Sequence, residues 1–160
     1  MKKLTAHTDE VWILENFLSE SECDNYYKIL PKIGYQKDLL DWSLRSKDIS
    51  HDPIVKKTQD YLENFFKKNI NLNHAELQNH NINSYCTLHN HSSLDRESTE
   101  YNSLIYLNDD FGGGCFITEH GIKIKPQKGM LTFFNGAKIN HGVEKVLLKD
   151  RKTIILWWEG

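Results

Sequence analysis

The chain has 160 residues, 39% of them hydrophobic, and its 20 Lys and Arg against 22 Asp and Glu leave a formal net charge of −2. That length suits one domain with its own core, since such a chain buries roughly two-thirds of its unfolded surface. The charge gives no global electrostatic reason to hold nucleic acid or an anionic membrane, no apolar run approaches a membrane span or secretory signal, and three scattered cysteines without a CxxC pair argue against a disulfide framework or a zinc knuckle. A cytoplasmic protein is expected, with nothing to set its oligomeric state.

Along the chain, Val11-Trp12-Ile13-Leu14 is a short apolar run suited to a strand. Ser19 followed by Glu22 is a capping box and predicts a helix to about Leu30, stopped by Pro31 and Gly34. Asp52 then Pro53 read as the N-cap and first position of a second helix running to about Lys68. Its Ile54, Tyr61, Leu62, Phe65 and Phe66 share one face and point to the core, leaving Lys56, Lys57, Lys67 and Lys68 to solvent.

From Leu77 onward the pattern changes to period two, punctuated by turn residues at Asn108-Asp109-Asp110, Gly112 to Gly114, His120-Gly121, Lys128-Gly129 and Asn135-Gly136. Short strands in series after two helices predict a mainly β, α+β fold: a jelly roll braced by helices on one sheet. Helical support is expected over roughly residues 1–76 and the jelly roll over roughly 77–160, within one domain spanning 1–160. Between Asn79 and His91 the alternation places Tyr85, Thr87, His89 and His91 on an interior face, and Ile82, Cys86 and Leu88 against the helices. The other histidines, His7, His51, His74, His80 and His120, are read as surface or satisfied core residues.

Five phrases follow in fixed order: Leu104 to Asn108, Gly112 to Gly114, Pro126 to Gly129, His141-Gly142-Val143 and Arg151-Lys152-Thr153. Over residues 77–158 this order resembles the prolyl 4-hydroxylase-like family of iron(II)- and 2-oxoglutarate-dependent oxygenases. The stretch Glu15 to Cys23 also looks like that family's opening. The resemblance implies a double-stranded β-helix of cupin-like type with iron(II), 2-oxoglutarate and O2 as cofactors and ascorbate as an optional reductant. It further implies a peptidyl or small-molecule substrate and hydroxylation as the default outcome.

Residue by residue, His141 matches the family's distal metal ligand, and His89-Asn90-His91 stands where the family has His-x-Asp. His89 and His91 thus occupy the places of a histidine and a carboxylate, and three neutral imidazoles can bind iron(II). Replacing the carboxylate raises the charge of the centre by one unit. Two other registers stay open, His91 paired with Ser93 and a vacant position, or a bulge bringing Asp95 to the metal. A site without iron stays open too. Arg151 and Thr153 match the residues that take the far carboxylate of 2-oxoglutarate, Arg by its planar fork and Thr by a hydroxyl on the same strand face. Tyr106 matches a tyrosine reaching the same carboxylate, with an ordinary strand aromatic as the equal alternative, and Tyr85 corresponds to the tyrosine preceding the metal histidine.

Three further outcomes belong beside hydroxylation: a halogenase-like or other radical transfer, a metal- or ligand-binding jelly roll without turnover, and a nucleic-acid demethylase. The last would want a basic groove, whereas Ser92 to Tyr101 offers Arg96 balanced by Asp95, Glu97 and Glu100.

Overall fold

The computed structural model describes residues 1–29, 35–39, 42–92 and 99–160, with the backbone alone for 35–39 and 42–44. In chain order come β1 (Lys2–Ala6), β2 (Asp9–Leu14), α1 (Glu20–Lys28), β3 (Tyr35–Leu39), β4 (Trp42–Asp48) and α2 (Pro53–Phe66). Then follow β5 (Asn71–His80), β6 (Cys86–His89), β7 (Tyr101–Tyr106), β8 (Gly112–Gly113), β9 (Phe116–Thr118) and β10 (Lys123–Ile124). The chain closes with β11 (Leu131–Phe134), β12 (His141–Val143), β13 (Val146–Leu147) and β14 (Arg151–Glu159). Among the described residues no helix is long and apolar enough to cross a membrane.

Both helices start as their sequences dictate. Ser19 Oγ accepts the Glu22 amide at 3.2 Å while Glu22 accepts the Ser19 amide at 2.8 Å, and a cap of this kind stabilises by about 1 kcal/mol. Asp52 accepts the Ile54 amide at 2.9 Å at the head of α2. The ends differ from expectation. The α1 helix stops at Lys28, and the predicted stop at Leu30, Pro31 and Gly34 lies outside the described residues. The α2 helix ends at Phe66, short of Lys68, because Lys67 turns left-handed at φ 53°.

An eight-stranded sheet, ordered β1-β2-β11-β7-β14-β5-β4-β3, is packed against a four-stranded one, ordered β10-β9-β12-β6. Strand alternation divides the core into two layers. Leu77 of β5, Ile105 of β7, Leu131 of β11 and Ile154, Leu156 and Trp158 of β14 meet Leu18 and Cys23 on the α1 side and Ile54 and Leu62 on α2. Full burial of one such aliphatic is worth about 1.5–3 kcal/mol. The opposite faces of the same strands, with Leu104, Tyr106, Phe134 and Ile155, meet Phe116 and Ile124 of the small sheet. This is the double-stranded β-helix with helices on one face of the large sheet.

Three strand assignments correct the sequence reading. β1 and the β3–β4 pair lie toward the two edges of the large sheet, where charged and polar strands carry little periodicity. β5 begins at Asn71 rather than Leu77, because its first residues pair with the C-terminal end of β14. The largest correction falls between His80 and Cys86. There the chain leaves the large sheet through a turn with Asn83 at φ 71° and enters the small sheet, so the alternation does not run through. Ile82 and Leu88, expected on the helices, consequently stand 43% and 47% exposed, Cys86 of the same set lines the histidine cavity instead, and Tyr85, expected on the interior face, is 36% exposed.

Candidate active site

The small sheet assembles a histidine cluster. β12 runs antiparallel to β6 with His141 directly opposite His89, an approach that Gly142 permits, since a Cβ there would lie 2.5 Å from the Cys86 carbonyl oxygen. His91 lies two residues past the end of β6, and its amide donates to the Gly136 carbonyl at 2.9 Å, which keeps the ring beside the other two. Ring centroids are 4.6 Å apart for His89 and His141, 4.9 Å for His91 and His141, and 5.3 Å for His89 and His91. Their ligand atoms all lie within 4.8 Å of one another.

Second contacts set the ring orientations. His141 Nδ1 is 2.8 Å from the Ile139 carbonyl, and His89 Nδ1 is 2.9 Å from that of Thr87 and 3.4 Å from Cys86 Sγ. A carbonyl only accepts, so both Nδ1 atoms carry the proton and both Nε2 atoms are left with a lone pair. Burial lowers the His141 pKa to about 3, which keeps that imidazole neutral. Among the described residues no carboxylate joins the cluster. Ser93, Asp95 and Arg96 lie outside the described residues.

The large sheet supplies a cation. Arg151 opens β14, is 1% exposed, and has Nε and Nη2 without a hydrogen-bond partner. The Tyr106 hydroxyl also lacks one, and the guanidinium carbon stands 5.2 Å from that ring's centroid. Burial pushes the Tyr106 phenol up, against the pull of the Arg151 charge. Burial also lowers the Arg151 pKa, and the described groups acting on it, Tyr106, Cys86 and Cys115, include no carboxylate. An unpaired buried charge is costly, so this pair is built for a visiting anion, and its fork fits a carboxylate.

Arg151 and the three histidines line one cavity of about 140 Å³, walled by Leu104, Phe116, Phe134, Ile155 and Trp157. Three sequence-derived residues, Tyr106, Tyr85 and Thr153, are not among its lining side chains, Tyr106 touching it only through the Arg151 guanidinium. Tyr85 is on the surface, beyond the broken alternation, and is not among the lining side chains. Thr153 is wholly buried and lies behind His80, whose Nε2 is 3.3 Å from the Thr153 hydroxyl. His80, read as an ordinary core histidine, is instead part of the cavity wall. Its place directly opposite Arg151 in the β5–β14 register is a tertiary fact that its local sequence does not carry. Burial first, then the Arg151 charge, lowers its pKa well below 6.5, which makes it a neutral wall. A larger cavity of about 420 Å³, with Trp12, Phe66, Tyr101 and Phe133 in its walls, lies across Phe134, which lines both; it contains no histidine among its described walls.

The cluster and the buried cation sit within residues 71–159, which match the 2OG-Fe(II) oxygenase superfamily. The chain belongs to that family. The chemistry of that family uses iron(II) and 2-oxoglutarate. Prolyl 3-hydroxylase 2 of Mus musculus is 42% identical over 66 residues, a stretch covering 37% of this chain and only 9% of that protein. Two solved structures share the fold of this oxygenase. The viral collagen prolyl hydroxylase of Paramecium Bursaria Chlorella virus-1, in a 2OG complex, superposes with a TM-score of 0.73 at 18% identity, covering 94% of this chain and 95% of that one. A prolyl hydroxylase from Trichoplax adhaerens, in complex with a hypoxia inducible factor peptide fragment, gives 0.72 at 17% identity over 93% and 83%.

Proposed function

We propose that this oxygenase hydroxylates a prolyl residue within a peptide, with iron(II) on His89, His91 and His141 and the far carboxylate of 2-oxoglutarate on Arg151 and Tyr106. The observation that carries the reading is the buried, acid-free Arg151 opening on the same small cavity as the three-histidine cluster. Bound iron(II) with 2-oxoglutarate and O2 supplies oxidation of an unactivated C–H bond, the cosubstrate leaving as succinate and CO2.

The protein supplies orientation and a dry setting. Arg151 offers its unpaired nitrogens and Tyr106 its hydroxyl to one carboxylate, while His89 and His141 present Nε2 because backbone carbonyls hold their other nitrogens. Phe116, Phe134, Leu104 and Ile155 exclude water from the reacting end. Exposed Ile82 and Tyr85 precede the strand that carries His89 and exposed Leu88 lies on it, apolar side chains suited to a peptide. Prolyl hydroxylation in the named relatives supports the substrate class.

Two other readings are separated by their products. Halogen transfer wants a vacated protein position at the metal, the place this reading gives to His91, and would put chloride in the product. A jelly roll without turnover could hold an anion on the same arginine and would form no succinate. Three free cysteines support a reducing, cytoplasmic setting. The test is incubation with iron(II), 2-oxoglutarate and a collagen-like prolyl peptide, read by mass spectrometry and succinate formation. Gain of one oxygen on proline is expected; cosubstrate turnover that no prolyl peptide stimulates would remove the substrate assignment and leave the family chemistry standing.

A further inference from the structure

The three imidazoles are not oriented alike. His89 and His141 each have Nδ1 against a backbone carbonyl, whereas His91 Nδ1 faces Gly136 and the side chain of Asn102. A Cβ built on Gly136 would lie 2.9 Å from His91 Nδ1 and 2.0 Å from Asn102 Oδ1. Both atoms therefore converge on the bare face of one glycine. Asn102, on β7, is wholly buried, and neither its carboxamide oxygen nor its nitrogen has a hydrogen-bond partner. Its sheet neighbours, Trp157 of β14 and Phe134 of β11, are too apolar to account for an amide there, and sealing an unused amide away from water is unfavourable.

We propose that Asn102 is a positioning residue of the metal centre: when His91 binds a metal, the nearby Asn102 carboxamide oxygen, which no group engages in the fold described, takes the His91 Nδ1–H and holds His91 Nε2 toward His89 and His141. The inference rests on the reading of His91 as a ligand. It explains why an imidazole can stand in the place of a carboxylate, because an acceptor behind a ligating histidine fixes its tautomer and raises its basicity. It also gives Gly136 a reason, since any side chain there would part the two groups. All three histidines then share one plan, an oxygen at Nδ1 and the metal at Nε2.

The test compares the wild-type full chain with Asn102→Leu, Asn102→Asp and His91→Ala by Co(II) titration, reading affinity and the ligand-field spectrum. Imidazole ¹⁵N spectra of the Zn(II)-loaded protein report which His91 nitrogen binds. Asn102→Leu should lose about 10- to 100-fold in Co(II) affinity, Asn102→Asp should restore it, and His91 should bind Zn(II) through Nε2 with a protected Nδ1–H. Wild-type Co(II) affinity in Asn102→Leu, or Zn(II) on Nδ1 of His91, would overturn the role of Asn102. Should Asn102→Leu fail to fold, the wild-type ¹⁵N spectrum and the Asn102→Asp titration still decide. Undiminished Co(II) affinity in His91→Ala would instead remove His91 from the ligand set, a failure of the underlying reading that the other variants do not imitate.

Discussion

Replacing Arg151 by Met should make the cosubstrate-free protein more stable while abolishing its response to 2-oxoglutarate. The guanidinium is 1% exposed with Nε and Nη2 unmatched, and each buried donor left unmet costs about 1–3 kcal/mol. Met refills most of the space taken by the arginine stem but gives up the contact with the Tyr106 ring, worth about 1–2 kcal/mol. The balance for the two donors is a gain of about 0–5 kcal/mol, centred on roughly 2–3 kcal/mol, and at about 2–4 °C per kcal/mol for a chain of this size the midpoint should rise by several degrees. With 2-oxoglutarate at a hundred times its Kd the wild type should gain about 2.7 kcal/mol and Arg151→Met nothing. Scanning calorimetry of both proteins, with Mn(II) and with or without 2-oxoglutarate, measures all four quantities. A destabilised Arg151→Met protein that still shows the wild-type shift with 2-oxoglutarate would refute the reasoning.

His91→Asp should restore the missing negative charge and raise iron(II) affinity in isothermal titration; behaviour identical to wild type in affinity and turnover would mean that His91 is not a ligand. His80 is neutral in the fold with its pKa well below 6.5, so the unfolded chain takes up the extra proton as pH falls. Its contribution to stability is whole above pH 6.5 and shrinks below it, by up to about 1.4 kcal/mol per pH unit. Denaturant titrations of metal-free wild type and His80→Gln between pH 6.5 and about pH 4.5 should differ by that single-proton slope, and equal slopes would contradict a neutral His80. Asp52→Ala removes the α2 cap and the acceptor of the Tyr26 hydroxyl. It should cost about 1–2 kcal/mol in chemical denaturation without altering 2-oxoglutarate affinity; a weakened cosubstrate site would show that α2 is coupled to the cavity.

How far the sequence could be read depended on whether a strand keeps one phase from end to end. β7 and β14 do, with one face on the helices and the other on the small sheet, so Tyr106 and Arg151, assigned by resemblance, both fall on the small-sheet side. The stretch from Asn79 to His91 crosses from one sheet to the other at Asn83, and a single alternation drawn through it placed His89 inward but misplaced Tyr85 and Leu88. His80 and Thr153 are a cross-strand matter: they meet across the β5–β14 pair, and spacing along the chain could not say which of them faces the cavity. Asn102 lies in the plain stretch Tyr101-Asn102-Ser103, where only its burial and its nearness to Gly136 give it significance. The edge strand β1 was missed because its lysines satisfy the needs of an exposed edge.

The central claim is that three histidines and Arg151 serve one iron(II)–2-oxoglutarate site. Its most direct measurement is an anaerobic titration of the protein with iron(II) and 2-oxoglutarate, followed by the weak visible metal-to-ligand charge-transfer absorption. The wild type should develop the band, and His91→Ala, His141→Ala and Arg151→Ala should each weaken or lose it at the same concentrations. Iron-loaded wild type that gives no band, or a band unchanged in all three variants, would contradict the account.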